Sequence, residues 1–357
     1  MIMDISKIDT NFALPGAVQK EDLVWMNVAE APFVTYGAVQ TEPYLRMPVE
    51  IAETVNDGVR YLCKNTAGIR VRFCTDSPYV AIRTEWENQC RMPHMPFSGS
   101  CGFDLYRLAK NGNEQFYVKA LIPPVSCQNG YESVIDTKGE MHDYVLNFPL
   151  YNDVSRLLIG VKRDSRFQTP RAYRNELPVV FYGSSITQGG CASRPGNCYQ
   201  NFLSRALNLD YVNLGFAGNA RAEDTMIEYL SKLQMSVFVS DYDHNAPNAE
   251  YLAATHEKLY RGIRKTHPDV PYVMITRPDC RDASSAVDRR RVVMKTYETA
   301  LSEGDRNVYF LDGGTIFAGD EYDACTVDGT HPNDLGFYRF FKALLPIFEE
   351  IVRAGAL

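Results

Sequence analysis

The stretch FYGSSITQGGCASRPGNCYQ, Phe181 to Gln200, decides how the rest of the chain is read. A hydrophobic run, VVFYG (179–183), ends at a glycine, and Ser184 and Ser185 follow side by side. A strand that turns into a helix at such a point exposes a hydroxyl above the sheet. Backbone N–H groups and the positive end of the helix dipole lie close by and stabilise developing negative charge. The same hydroxyls also suit an ordinary helix cap, so the two serines alone leave both uses open. The turn is not a GxSxG elbow, because Thr187 occupies the last glycine position. It is not a P-loop either, since no GK[ST] follows.

Downstream of this turn, strand-like runs alternate with amphipathic stretches. The strands are expected at 179–183, 211–215, 237–241, 272–276 and 308–312, and the helices at 198–208, 223–233, 248–266, 285–303 and 333–353. In the third helix Leu252, His256, Leu259, Tyr260 and Ile263 recur at helical spacing. Strands alternating with helices predict a parallel sheet covered on both faces. Ligands of such sheets bind beyond the carboxyl ends of the strands, so the functional residues belong just after strand ends.

Upstream the rhythm has period two. In IRVRF, Ile69, Val71 and Phe73 face one way and Arg70 and Arg72 the other. VAIRTEW (80–86), FDLYRL (103–108), FYVKALI (116–122), DYVLNFPLY (143–151) and RLLIGV (156–161) continue the pattern, with turn signals such as KNGN, CQNG and TKGE between them. Short strands at this spacing, with no long helical run, predict an antiparallel β-sandwich. The polar segment RFQTPRAYRNELP (166–178) separates the halves, which places a β-domain at 1–170 and an α/β domain at 171–357.

Composition narrows the functions. A chain of 357 residues with 45% hydrophobic and 23% charged residues suits two globular domains. A net charge of −7, without a Lys/Arg cluster, argues against nucleic acid. No apolar run approaches the roughly 18 residues that span a bilayer, so no membrane partner is expected. The start, MIMDISKIDTNFALPG, lacks a signal-peptide pattern, and nine cysteines are scattered without CxxC pairing. Both features point to reduced thiols and a cytoplasmic location.

The remaining strand ends carry the polar residues that chemistry needs. NLGFAGNA brings Gly215 and Gly218, either of which can offer a turn amide to an oxyanion. SDYDHNAPN brings Asp241, Asp243, His244 and Asn245. A divalent metal needs several convergent ligands, and no second His-rich motif completes a set there, so neither metal nor cofactor is expected. A carboxamide donor from Asn245 fits an oxyanion hole better. Near the C-terminus, VDGTHPN places Asp328 three residues before His331. One turn of chain lets that carboxylate accept from imidazole Nδ1–H, which leaves Nε2 free as a base. Arg194, soon after the two serines, and Arg277, in ITRPDC, are candidates for the pocket mouth, where they would meet polar or anionic substrate groups.

These four blocks, in this order, resemble the SGNH (GDSL-type) hydrolases. The resemblance implies a three-layer α/β/α, flavodoxin-like fold and a metal-free Ser-His-Asp triad. GSSIT takes the place of the family's Gly-Asp-Ser, which maps the nucleophile to Ser185 and puts Ser184 where the family has aspartate. The block-two glycine maps to Gly218, and Asp-x-x-His maps to Asp328 and His331. The family's Gly-x-Asn-Asp is replaced by DYDHNAP, so Asn245 is the implied oxyanion donor and His244 the alternative donor, with His244 also a candidate for substrate binding. Upstream, Gly102-Phe103-Asp104-Leu105-Tyr106 resembles the GxDLY motif of a jelly-roll-like β-domain that precedes one subgroup of these hydrolases. The resemblance implies a serine esterase acting on a small-molecule ester, with acetyl esters of carbohydrates foremost. An acyltransferase, or an inactive carbohydrate- or partner-binding protein, is the competing expectation.

Overall fold

A computed structural model describes residues 7–9, 17–109, 115–278 and 284–357. The N-terminal half forms two antiparallel sheets. One runs β1 (Leu23–Asn27), β9 (Arg156–Lys162), β4 (Tyr79–Glu85), β7 (Gly130–Asp136). The other runs β10 (Phe167–Gln168), β3 (Arg70–Thr75), β8 (His142–Asn147), β5 (Phe103–Leu108), β6 (Gln115–Leu121), with β2 (Val34–Tyr36) also paired to β3. The chain alternates between the sheets, which gives a jelly-roll-like sandwich. Its core joins Val80, Ile82, Leu157 and Ile159 of the first sheet to Val71, Phe73 and Leu105 of the second. Each such side chain contributes roughly 1.5–3 kcal/mol on burial. Trp86 also belongs to this core, and its indole N–H donates to the Gln128 carbonyl at 2.6 Å.

The other face of β3 does not meet water. Arg70 and Arg72 are buried against the second half of the chain. Arg70 pairs with Asp210 and donates to the Tyr211 carbonyl and the Tyr173 hydroxyl, while Arg72 donates to Asn208 Oδ1.

The second half is a five-stranded parallel sheet in the order β12 (Tyr211–Gly215), β11 (Val179–Gly183), β13 (Val237–Asp241), β14 (Tyr272–Ile275), β15 (Val308–Leu311). This is the flavodoxin-like order, whose topological switch lies between the first and third strands of the unit, here β11 and β13. Alternate residues serve opposite faces. Val180 and Tyr182 pack under α6 (Asp224–Lys232), α7 (Ala249–Thr266) and α8 (Ser284–Ser302) through Met226, Leu252, Leu259 and Val293. Val179 and Phe181 pack under α5 (Tyr199–Leu207) and α9 (Asp334–Arg353) through Tyr199, Leu203, Phe337 and Phe340. Both faces of the sheet are therefore covered by helices, and the unit has three layers.

Two short helices, α1 (Val49–Val55) and α2 (Asp57–Leu62), lie where period-two reading foresaw no helix. Their apolar residues Ala52, Val59 and Leu62 join the core of the α/β unit rather than that of the sandwich. Arg46, just before them, is fully buried and donates to the backbone carbonyls of Asn65, Leu62, Asn213 and Gly215. Burial pushes its guanidinium down to about 10. The N-terminal segment is thus tied to the end of β12, one residue before the turn that carries Gly218.

Candidate active site

Ser184 and Ser185 stand where β11 gives way to the four-residue helix α4 (Ser185–Gln188). Ser184 is fully buried, and its Oγ accepts the Ile186 N–H at 3.1 Å, so it caps the helix. Ser185 is the first helical residue, and its amide is one of those left without an intrahelical acceptor. Its Oγ lies 2.8 Å from His331 Nε2. His331 Nδ1 in turn lies 2.7 Å from Asp328 Oδ2. With the proton on Nδ1, Ser185 donates to the imidazole and the imidazole donates to the carboxylate. Asp328 Oδ1 also accepts the amides of Thr330 and His331 at 3.0 and 2.8 Å. Burial pushes the Asp328 carboxyl up, but these N–H donors outweigh it and hold the group at about 2. The carboxylate is therefore charged over the whole neutral range.

The loops bearing these residues are braced against each other. The Cys191 amide donates to the Pro332 carbonyl at 3.2 Å. Asp334, in the first turn of α9, accepts the Ser193 amide at 2.8 Å, the Ser193 hydroxyl and Asn197 Nδ2 at 2.7 Å. Beneath α4, Thr187 donates to Asp241 Oδ2 at 2.8 Å and Tyr199 to the same oxygen at 3.2 Å. Burial pushes the Asp241 carboxyl up to about 7 against those two hydroxyls.

On the far side of the switch, Gly218 has φ +69°, and no atom occupies the space where a Cβ would stand. Gly215 differs: a Cβ there would meet the Gln188 amide nitrogen at 2.2 Å. Gly215 thus permits α4 to pack closely, whereas Gly218 is exposed on the turn. Asn245 Nδ2 donates to the Phe216 carbonyl at 2.9 Å, which leaves its second N–H available. The loop before it is fixed by Asp243, which accepts the Arg277 amide at 3.0 Å and a contact from Arg289 at 3.3 Å. His244 is half-buried, and its Nε2 has no hydrogen-bond partner among the described residues. Burial, and then the charges of Arg277, His331 and Arg289, push its imidazole down to about 3, so it is neutral. His244 therefore lies within electrostatic reach of His331, and Arg277 within reach of His244.

Arg194 is drawn to the sandwich domain by the GxDLY motif. Its Nη1 donates to Asp104 Oδ2 at 2.8 Å and to the Tyr106 hydroxyl, and its guanidinium lies 4.1 Å from the Tyr117 ring centre. Asp104 is fully buried and also accepts the Gly196 amide and Asn147 Nδ2, both at 2.8 Å. A buried carboxylate needs a cation, and Arg194 supplies it across the domain boundary. The Asp and Tyr of the GxDLY motif thus clamp the loop that follows Ser185. Sequence reasoning also passed over His94, whose ring centre is 5.7 Å from that of His331. It arrives from the sandwich domain on a loop with no motif to mark it.

Comparisons with known proteins agree with this architecture. Residues 176–349 match the GDSL-like lipase/acylhydrolase family, and residues 23–167 match the N-terminal domain of SGNH hydrolase-type esterases. The chain is a member of the GDSL-like lipase/acylhydrolase family that carries a GxDLY domain, and hence a carboxylic ester hydrolase. Among solved structures it is similar to a GDSL-like lipase from Bacteroides ovatus ATCC 8483, with 27% identity, a TM-score of 0.83 and 93% of this chain and 98% of that one covered. The salicylyl-acyltransferase SsfX3 of a tetracycline biosynthetic pathway superposes with a TM-score of 0.76 at 19% identity, covering 95% and 99%. A family two carbohydrate esterase from Cellvibrio japonicus gives 0.60 at 10% identity, covering 92% and 98%. These last two likenesses are likenesses of fold. No curated protein sequence matches the chain.

Proposed function

We propose that this esterase cleaves short acyl esters of small polar alcohols, sugars foremost, through an acyl-enzyme on Ser185. The observation that carries the reading is the unbroken chain of contacts from Ser185 Oγ through His331 to Asp328, at 2.8 and 2.7 Å. Ser185 Oγ attacks the ester carbonyl as His331 Nε2 takes its proton. Asp328 fixes the imidazole tautomer and stabilises the imidazolium. The Ser185 and Gly218 amides and the free N–H of Asn245 receive the oxyanion, each contributing on the order of 3 kcal/mol to the transition state. His331 then protonates the leaving alkoxide, and water, deprotonated by the same nitrogen, releases the acyl group. The neutral His244 and the charged Arg277 are assigned to the substrate side of the cleft. A carbohydrate alcohol is favoured by the fold shared with carbohydrate esterases, one of which, from Clostridium thermocellum, is known in complex with cellohexaose.

The test is hydrolysis of p-nitrophenyl acetate together with acetylated sugars. Ser185→Ala is expected to lose several orders of magnitude in kcat while remaining folded. Wild-type rates in that variant would falsify the assignment. A fluorophosphonate probe should label the wild type at Ser185 and leave the variant unlabelled. Acyl transfer to a hydroxyl acceptor is the second reading, favoured by the likeness to SsfX3 over nearly the whole of both chains. Product analysis separates the two: free acid in the presence of excess sugar supports hydrolysis, and a new acyl sugar supports transfer.

A further inference from the structure

Three soft or borderline donor atoms converge beside the Ser185 centre, and the proposed reaction uses only one of them. His94 reaches in from the sandwich domain, on the loop between β4 and the short helix α3 (Phe97–Ser100). Its ring is inclined 55° to that of His331. Cys191, on the loop after α4, places a buried thiol next to both. One nitrogen of His94, Cys191 Sγ and one nitrogen of His331 all lie within 4.8 Å of one another. Among the described residues, no hydrogen bond engages the His94 ring or the Cys191 thiol, so neither side chain is committed to another partner.

We propose that His94, Cys191 and His331 form a binding site for a thiophilic divalent cation of the zinc class, which switches the esterase off by capturing the His331 imidazole. Two imidazoles and a thiolate suit zinc, whereas magnesium and calcium prefer oxygen ligands. Zinc–nitrogen bonds of about 2.1 Å and a zinc–sulfur bond of about 2.3 Å put tetrahedral ligand atoms roughly 3.5 Å apart. The cluster must therefore contract by about 1 Å, and half-buried His94, on a loop, is the member free to move. Water fills the fourth position, as it does in open zinc sites.

The chemistry of capture is simple. The Cys191 S–H bond breaks, an S–metal bond forms, and the proton passes to solvent. His94 gives a lone pair. If the ion takes His331 Nε2, it displaces the Ser185 hydroxyl. If it takes Nδ1, it displaces the Asp328 carboxylate and the ring proton moves to Nε2. Either way Ser185 loses its base. Inhibition rests on the reading of His331 as that base, whereas binding does not, and the two are measured separately.

The experiment uses the full-length protein, with cobalt(II) as a spectroscopic stand-in for zinc and p-nitrophenyl acetate as substrate. Wild type should develop a thiolate-to-cobalt charge-transfer band, and zinc should inhibit it reversibly to EDTA while magnesium does not. His94→Ala should keep its zinc-free rate within about twofold, yet need tenfold or more zinc for the same inhibition, a loss on the scale of about 10–100-fold seen when metal sites are weakened. Cys191→Ser should lose the charge-transfer band. If it fails to fold, His94→Ala alone decides. Equal zinc sensitivity in wild type and both variants, or no band and no inhibition in wild type, overturns the site. A cobalt band without inhibition would leave the cation site standing but sink its switching role.

Discussion

The two adjacent serines illustrate how much a single atom's surroundings decide. Ser184 and Ser185 carry the same hydroxyl, but one is buried as a helix cap and the other faces an imidazole. Ser184→Ala should cost about 1 kcal/mol of stability, as loss of a capping serine does, and retain most activity. Ser185→Ala should leave the melting temperature nearly unchanged and remove activity. Thermal melts run beside ester hydrolysis check both, and a Ser184→Ala variant as inactive as Ser185→Ala would reverse the assignment. Asp328→Asn should lower kcat on the order of 10⁴-fold, because the amide no longer fixes the tautomer of His331. The spacing of Asp328 and His331 made this pair legible in the sequence. Three residues and one turn of chain suffice to bring the groups together, so no distant packing is required. His244 against Asn245 was not legible, since neighbours on one short loop differ only in where the fold turns them.

At the scale of elements, the end of β13 sets a pH dependence on stability. Asp241 sits wholly buried beneath α4 with its folded value raised to about 7 from an ordinary 3.8. The folded state therefore binds the proton more tightly than the unfolded chain. Its contribution is fully present below about pH 3.8 and is lost as pH rises through about 7. His244 and His256 act in the opposite direction. Burial depresses them to about 3 and 4, so their contribution is present above 6.5 and is lost as pH falls. The difference between Asp241→Asn and wild type isolates the carboxyl. Urea unfolding at pH 5 and pH 8 should show the variant gaining on wild type at the higher pH, and an unchanged difference would rule out Asp241 as the source. The five strands and five long helices of the α/β unit lie within two residues of their expected bounds. Each such element declares itself by its own periodicity. Helices α1 and α2 do not, because six or seven residues hold too little pattern and their stability comes from docking on α6 and its neighbours.

Across the whole molecule, the two domains are joined by buried charge rather than by a linker alone. Arg46, Arg70 and Arg72 from the N-terminal half are buried against backbone and side chains of the α/β unit, and Arg194 returns the exchange toward Asp104. Removing one member of such a pair leaves the other charge buried and unpaired, at about 3–5 kcal/mol. Asp104→Ala and Arg194→Ala should each show that loss in chemical denaturation, and the double variant should cost less than the sum of the two. Strict additivity would mean the clamp contributes no coupling. Because the clamp holds the loop that follows Ser185, both single variants should also lower kcat more than they raise KM. By itself the sequence determined the period-two and helical rhythms, the two-part architecture, and the pairing of Asp328 with His331. These follow from local spacing, which survives in any arrangement of the chain. Only the tertiary structure decided that Arg70 and Arg72 face a second domain instead of water, that Arg194 answers Asp104, and that His94 and Cys191 meet beside His331. Those contacts join residues some 90 to 240 positions apart, and no local pattern encodes which distant surface will come to cover a given side chain.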